Sequence, residues 1–286
     1  MTKRQGRKAR GVQETKRKVD YRTLRNPFPP LDAFPPDRID AIHAAALDVL
    51  GRLGIKVLLP EARDLFESAG AQVIDEMVYF PADLIEGHVA LAPKSIVIKG
   101  GVAERDITLE LGSLVFQPGA GCPHATDLER GRRTGTLEDY LELTKLTHHF
   151  DALQMLPPLV EPQDVPMNLR HYETMRAQLT LSNKVPFVFS RGTPQVQQSF
   201  EMLKAFRNVT DTEFMQNPYC YTIINTNSPR QLDIPMAQGI IDFARAGQVS
   251  IITPFTLMGA MAPVTVAGAL TLSHAEAMAA ITLGQI

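Results

Sequence analysis

Apolar positions along this chain follow two rhythms, which change near residue 113. In the first part, Ile39, Ile42, Ala46, Val49, Leu50 and Leu53 recur at helical spacing within DRIDAIHAAALDVLGRLG. They predict an amphipathic helix with Asp37 at its amino end and Gly54 as its stop. IKVLL then reads as a strand, PEARDLFESAG as a short helix closed by Gly70, and QVIDEMVYF as a hairpin. PADLIEGHVALAP reads as a further helix, and SIVIKG with DITLELG as a second strand pair. From Ser113 the pattern becomes repetitive. SLVFQPG, ALQMLPP, VPFVFS, YCYTIIN and VSIIT are short apolar runs, and each leads into an amphipathic segment. In the first such segment Thr136 caps the helix and Asp139, three residues on, completes a capping box. The strands start near residues 113, 152, 186, 219 and 249, about one unit every 34 residues. Alternating short strands and helices imply a parallel sheet with right-handed crossovers. With no dinucleotide fingerprint, the expected fold is α/β, a (β/α)8 TIM barrel of which about the first five units are present. Three segments are expected: a disordered basic arm over 1–20, an extended stretch with a small α/β region over 21–112, and the partial barrel over 113–286.

The uncharged run over residues 246–275 is long enough to cross a bilayer. Pro254, Gly259 and Pro263 interrupt it near its middle, however. It divides into the fifth strand, a loop, and a helix starting near Val264. Ala267, Gly268, Ala269, Ala277 and Ala280 let that helix lie close on the sheet, so the run reads as buried protein and no membrane partner is expected.

Composition changes little in this picture. The chain is 44% hydrophobic and 21% charged with a net charge of −2, a globular balance that makes no case for nucleic acid. Its two cysteines, Cys122 and Cys220, are too few for a disulfide framework, so a reducing cytoplasm is the expected setting. The first 20 residues hold eight Lys or Arg against Glu14 and Asp20. Such a leader is too poor in apolar residues to fold alone, and no secretory h-region follows it.

In a barrel of this kind the chemistry sits where strands end. That criterion selects Gln117, Cys122, His124 and Asp127 after the first strand, Glu161 and Asp164 after the second, and Ser190 and Arg191 after the third. The fourth contributes Asn225, Asn227 and Ser228, and the fifth Thr253, Phe255, Met258 and Gly259. About half of these are expected simply to satisfy loop backbone. GAGCPH lacks the Lys-Ser/Thr of a phosphate loop. Cys122 and His124 could begin a zinc site but lack two further ligands, so no metal is expected. His148 and His149 sit where a cation favours a helix carboxyl end. His43, His274 and Glu276 lie within helices, where structural roles are expected. No nucleophile pattern emerges, and no catalytic residue is assigned.

Several stretches together resemble the trimethylamine methyltransferase family of corrinoid-dependent enzymes. They are LDVLGRLGIKV, ESAGAQVI, LAPKSIVI, ATDLERGRRTGTLEDY and, above all, MGAMAPVTVAGALTLSHAEAMAAITLGQI. The resemblance runs from about Arg38 to Ile286, and it implies a (β/α)8 barrel. It also implies methyl transfer from a quaternary or tertiary methylated amine, of trimethylamine or betaine type, to the cobalt of a corrinoid (cobalamin). The corrinoid is carried by a partner protein and not bound by the chain itself; a homo-oligomer is compatible with this scheme. Such a reaction needs a dry, oriented pocket more than a strong acid. From the strand ends, Asp127, Glu161 and Phe255 suit the cation, Asn225, Asn227 and Thr253 suit orientation, and Met258 lines the same mouth. Family sequences continue beyond the point matching Ile286, and trimethylamine enzymes carry pyrrolysine there, so the chain is expected to be an inactive fragment alone. Arg230 stands where an apolar residue was expected. Two other classes fit the residues: a metal-dependent barrel lyase or hydrolase using Cys122, His124 and Asp127, and a non-catalytic quaternary-amine-binding protein.

Overall fold

The computed structural model describes residues 20–29, 31–119 and 121–286. The basic leader, and with it the expectation of a disordered arm, lies outside the described residues except for Asp20. In chain order the first part contains β1 (Leu24–Arg25), α1 (Pro36–Asp48), β2 (Ile55–Val57), α2 (Pro60–Ser68), β3 (Gln72–Ile74) and β4 (Met77–Tyr79). These are followed by α3 (Ala82–Leu91), β5 (Ser95–Ile98) and β6 (Ile107–Glu110). Helix α1 opens at Pro36, whose missing N–H is harmless in a first turn. Asp37 therefore lies inside the first turn and makes no side-chain cap; its charge still complements the helix dipole. The helix widens into a π-helical turn over Val49–Leu53 and stops at Gly54, where φ is +65°. Strands β3 and β4 form the expected hairpin, β2 joins its β4 edge, and β5 pairs antiparallel with β6.

The repetitive part contains β7 (Ser113–Leu114), β8 (His124–Asp127), β9 (Gly131–Thr134), α4 (Leu137–His149), α5 (Arg170–Leu181), α6 (Thr193–Arg207) and α7 (Asp211–Gln216). Next come β10 (Tyr221–Ile224), β11 (Gln231–Leu232), α8 (Ile234–Arg245), β12 (Val249–Ile252) and α9 (Val266–Gln285). Five extended segments pair parallel in chain order. Cys122 bridges Val160, Met155 bridges Val185, Phe187 bridges Tyr221, and β10 pairs with β12 over four residues. The mixed α/β class is as expected, but no closed barrel forms among the described residues. The array is open, and most of its rungs are single bridges. Within the segment expected as the first strand, β7 pairs antiparallel with β1, and Phe116 reaches across to the second segment: its carbonyl accepts from the Gln154 backbone N–H (2.9 Å) and its N–H donates to the Gln154 side-chain oxygen (2.7 Å).

Helix ends show what the side chains do. Thr136 and Asp139 form the expected capping box of α4, and Thr210 with Glu213 forms another on α7. The carboxyl end of α4 differs from expectation. His148 points to the Ser182 hydroxyl, and burial, then the nearby Lys184, pushes its imidazole below its ordinary pKa. The cation at that end is Lys184, whose buried ammonium donates to the carbonyls of Thr147 and Phe150.

Alternation along the parallel segments separates two cores. Tyr221, Phe187, Met155, Val185 and Val249 pack on one face over Ile98 and Ile107 of the β5–β6 hairpin. Ile224 faces the other way, into a core shared with α1, α2, α8 and α9. Ile223 belongs to the first face with Tyr221. The second core crosses residue 112: Ala46, Leu50 and Phe66 pack with Ile240, Ala275 and Met278, and β11 adds parallel to β2. Helix α9 lies between these parts, against α1, α3, α8 and β12. It starts at Val266, two residues later than expected, with Thr265 as its cap. Among the described residues it is the one helix long and apolar enough to cross a membrane, and half of that window is buried in protein.

One close approach is strict. Gly247, after α8, has φ +66°, and a Cβ there would lie 2.0 Å from the Met215 carbonyl oxygen. Gly247→Ala combines left-handed strain with a clash against backbone, and we expect it to cost more than about 2 kcal/mol. Thermal unfolding of the full-length variant, compared with wild type, checks this; an unchanged melting temperature would contradict it.

Candidate active site

The parallel registers set a row of side chains. Phe187 stands opposite Tyr221 and Tyr221 opposite Val249. Because side chains alternate, continuing four residues along β10 and β12 from that pair brings Asn225 and Thr253 into one row on the face of Tyr221. Asn225 is exposed at the strand end, and its amide donates to the Thr253 carbonyl (2.9 Å) and hydroxyl (2.8 Å). Beneath the row, Phe189 meets Phe187 edge to face, and the Tyr221 hydroxyl donates to Gln117 and to the Leu156 carbonyl (3.1 Å). The floor is thus aromatic, and the polar groups that remain on it are satisfied.

Glu161, at the end of the second segment, holds two guanidinium groups. Arg191 donates to its Oε1, and Arg170, on α5, lies 3.5 Å from its Oε2. The Arg191 guanidinium also lies over the Phe189 ring, 4.4 Å from the centroid. Glu161 therefore does not face solvent as a free carboxylate.

The remaining sequence-selected residues divide between this row and local structure. Asp127 ends β8 in a charged hairpin with β9 that the apolar pattern missed. Its carboxylate accepts from the backbone N–H of Glu129 and Arg130 and from the guanidiniums of Arg130 and Arg133. The Arg130 amide first, and then these guanidiniums, hold it down at about 2. Both oxygens are engaged in the turn. Behind it Arg133 pairs with buried Asp139; burial would raise that carboxyl, but bonds from Thr136 and Arg133 outweigh it and keep it low. Asn227 likewise serves its own loop: its Oδ1 accepts from the Asp233 amide (3.1 Å), and its backbone pairs with Gln231. Asp164 accepts from the Leu137 amide at the start of α4. Ser190 is buried on the helix side of its segment, against Gly239. Phe255 and Met258 are exposed apolar side chains on the loop after β12. Cys122 and His124 are exposed, and no group of three or more metal-ligating side chains occurs among the described residues.

Sequence reasoning placed Glu276 within a helix without finding its partners. Its buried carboxylate accepts from the Thr226 hydroxyl, the Ser228 hydroxyl and the Arg230 amide, each at 2.7 Å. Ser228 also meets the Thr256 hydroxyl at 3.0 Å, so one α9 side chain anchors the loops that follow both β10 and β12. Arg230, at φ +52°, reaches the carbonyls of Leu53 (2.7 Å) and Gly54 (3.0 Å), which explains a charged residue at that position. Two concavities, of about 390 and 550 Å³, lie instead around α6, where Phe200 lines both. None of Glu161, Arg191, Asn225 and Thr253 lines them, and strand-end geometry is the better guide to chemistry in a parallel α/β array.

The sequence model of the trimethylamine methyltransferase (MTTB) family matches residues 3–286. A glycine betaine methyltransferase of Desulfitobacterium hafniense (strain Y51) is 27% identical over 259 residues, covering 90% of this chain and 54% of that protein. A trimethylamine methyltransferase MttB of D. hafniense (strain DSM 10664 / DCB-2) is 26% identical over 261 residues, covering 90% and 52%. MttB1, a trimethylamine methyltransferase of Methanosarcina acetivorans, is 25% identical over 264 residues, covering 90% and 53%. The chain spans about half the length of the curated relatives it matches.

Proposed function

Because this chain belongs to the trimethylamine methyltransferase family, we propose that the protein moves a methyl group from a quaternary or tertiary methylated amine to the cobalt of a corrinoid held by a partner protein. Family membership across residues 3–286 carries this reading. The row of polar strand ends supports it, and we read the open parallel array as part of a (β/α)8 barrel whose mouth takes the amine. Reduced cobalt supplies the electron pair that forms the new bond to carbon, and the C–N pair leaves with nitrogen. A quaternary donor is then released as a neutral amine, with no proton to deliver. The chain's residues have orientation and dryness to provide. Asn225 and Thr253, already locked together, present a fixed polar edge, and the aromatic floor under Arg191 excludes water. Phe255 and Met258 offer apolar surface to N-methyl groups, and Glu161 sets the charge of the mouth through its two arginines. Mixing the full-length protein with its cobalt(I) corrinoid partner and a panel of methylated amines should produce methyl-cobalt absorbance with at least one of them. If none does, the proposal fails.

A further inference from the structure

Helix α9 is fastened to the first part of the chain at a point remote from the polar row. His43 of α1 and His274 of α9 meet ring to ring, with Nδ1 of the first 2.9 Å from Nε2 of the second. We infer that this histidine pair, with Glu86 of α3 beside it, is a pH-sensitive latch: it holds α9 to α1 and α3 with up to one extra proton and releases when it takes two.

A count of protons carries this. In the neutral pair each ring has one N–H, and one of the two fills the gap between the facing nitrogens. A third proton can be accommodated: His43 Nε2 and His274 Nδ1, the outer nitrogens, then both carry hydrogen, and the facing nitrogens still share one. The bond between the rings is now charge-assisted. Glu86 gives this state a counter-charge, since its carboxylate lies 3.5 Å from His43 Nε2. A fourth proton puts hydrogen on both facing nitrogens. Attraction between the rings is lost, and two cations repel across the same gap.

The surroundings make His274 the ring that resists. Burial, then the charge of His43, pushes its imidazole below its ordinary pKa. Charged groups on the other packed elements are engaged elsewhere. On α1, Asp37 pairs with Arg38, and Asp48 with Arg52 of the π-helical turn. On α3, His88 turns to its own Leu84 carbonyl (2.8 Å). Between α2 and α8, Glu61 pairs with Arg245, Arg63 donates to the Val57 and Leu58 carbonyls, and Asp242 accepts from Thr193 and Gln238. Asp40, Asp64, Glu67 and Asp83 are exposed and bonded to neither ring, and β12 has no titratable side chain. Glu86 is thus the one acid paired with the two histidines.

Position gives the latch its reach. Helices α1 and α3 both pack along α9. Glu276 lies two residues beyond His274, about 200° round the helix. It binds the loop after β10 and, through Ser228 and Thr256, the loop after β12. One side of α9 is therefore pinned to the latch, while the opposite side holds the loops at the strand ends. The second proton frees the first side and slackens the second.

The test uses the full-length protein from about pH 5 to pH 8. A histidine whose folded pKa is depressed stabilises the fold fully above its unfolded value of about 6.5, and that stability is lost as pH falls toward the folded value. The folded pair refuses one proton that the unfolded chain accepts. Below about pH 6.5 the unfolding equilibrium constant of wild type should therefore rise up to about tenfold more per pH unit than that of His274→Gln, whose amide can still accept from His43. Imidazole titrations followed by NMR read the latch without unfolding. In wild type the two rings should titrate in coupled steps more than about one pH unit apart, and in His43→Gln the His274 ring should take its proton at a higher pH. Hydrogen exchange along α9 and over residues 226–230 should quicken at the acid end relative to His274→Gln at the same pH. Rings that titrate together, with His274 unmoved by His43→Gln, would overturn the latch, as would equal acid slopes for wild type and His274→Gln. If a variant does not fold, the wild-type titration decides by itself.

Discussion

Replacing Glu276 by alanine is expected to lower the stability of the full-length protein by about 3–5 kcal/mol. The carboxylate is 1% exposed and takes three short bonds, two from hydroxyls and one from a backbone amide. Alanine removes the acceptor and leaves Thr226, Ser228 and the Arg230 N–H in a dry site with nothing to bond. Each orphaned donor costs of the order of 1–3 kcal/mol, partly recovered if water enters. Glutamine keeps one acceptor oxygen and can turn its amide to the hydroxyl oxygens, so Glu276→Gln should cost only about 1–2 kcal/mol. Urea unfolding of both variants measures the difference. A functional readout accompanies it: Asn225 precedes Thr226, and Thr256 follows Thr253, so the clamp sets the loops that carry the polar row. The alanine variant should therefore raise KM for the amine even at temperatures where it remains folded. A loss below about 1 kcal/mol for alanine would show that the three donors find other partners.

Lys184 should make stability rise with pH, opposite to the usual effect of an ion pair formed by a lysine. Burial, then the charge of Arg105, lowers its ammonium to about 8 from the ordinary 10.5. Below pH 8 both folded and unfolded chains carry the proton, and the burial penalty is fully present. Between 8 and 10.5 the unfolded chain binds more protons than the folded one, so unfolding free energy increases with pH, and above 10.5 it levels. Relative to Lys184→Met, wild type should gain roughly 2–3 kcal/mol across that window. At pH 7 the methionine variant still leaves the Thr147 and Phe150 carbonyls at the end of α4 without their donor. It is expected to be destabilised there too, by about 1–3 kcal/mol. Denaturant unfolding of both proteins from pH 7 to 10.5 tests the sign, and a difference that shrinks with pH would rule the mechanism out.

The order and type of most elements were legible because they are local. The capping box at Thr136 and Asp139, the stop at Gly54, and the proline and glycine breaks between β12 and α9 act within a few residues. The elements that escaped notice were weakly apolar. Hairpin β8–β9 is built from His124, Thr126, Arg132 and Arg133, with no apolar alternation to announce it, and β11 is two residues added to the edge of β2. Asp127 illustrates the same limit at a candidate site residue: its position after an apolar run was legible, but the turn partners of its two oxygens were not.

By itself the sequence determined the family, the α/β class, the succession of strands and helices, and the strand ends at which polar groups collect. Each follows from periodicity, capping or motif order along the chain. Only the tertiary structure decided which of those polar groups are spoken for. Glu161 lies nine residues from Arg170 and 30 from Arg191, and Glu276 lies 46 to 50 residues from its donors. Lys184 reaches a helix end 34 to 37 residues before it. No local pattern encodes such pairings. They arise when crossovers bring segments side by side, and whether a carboxylate or ammonium is a free ligand or a filled one depends on what stands within about 3 Å of it.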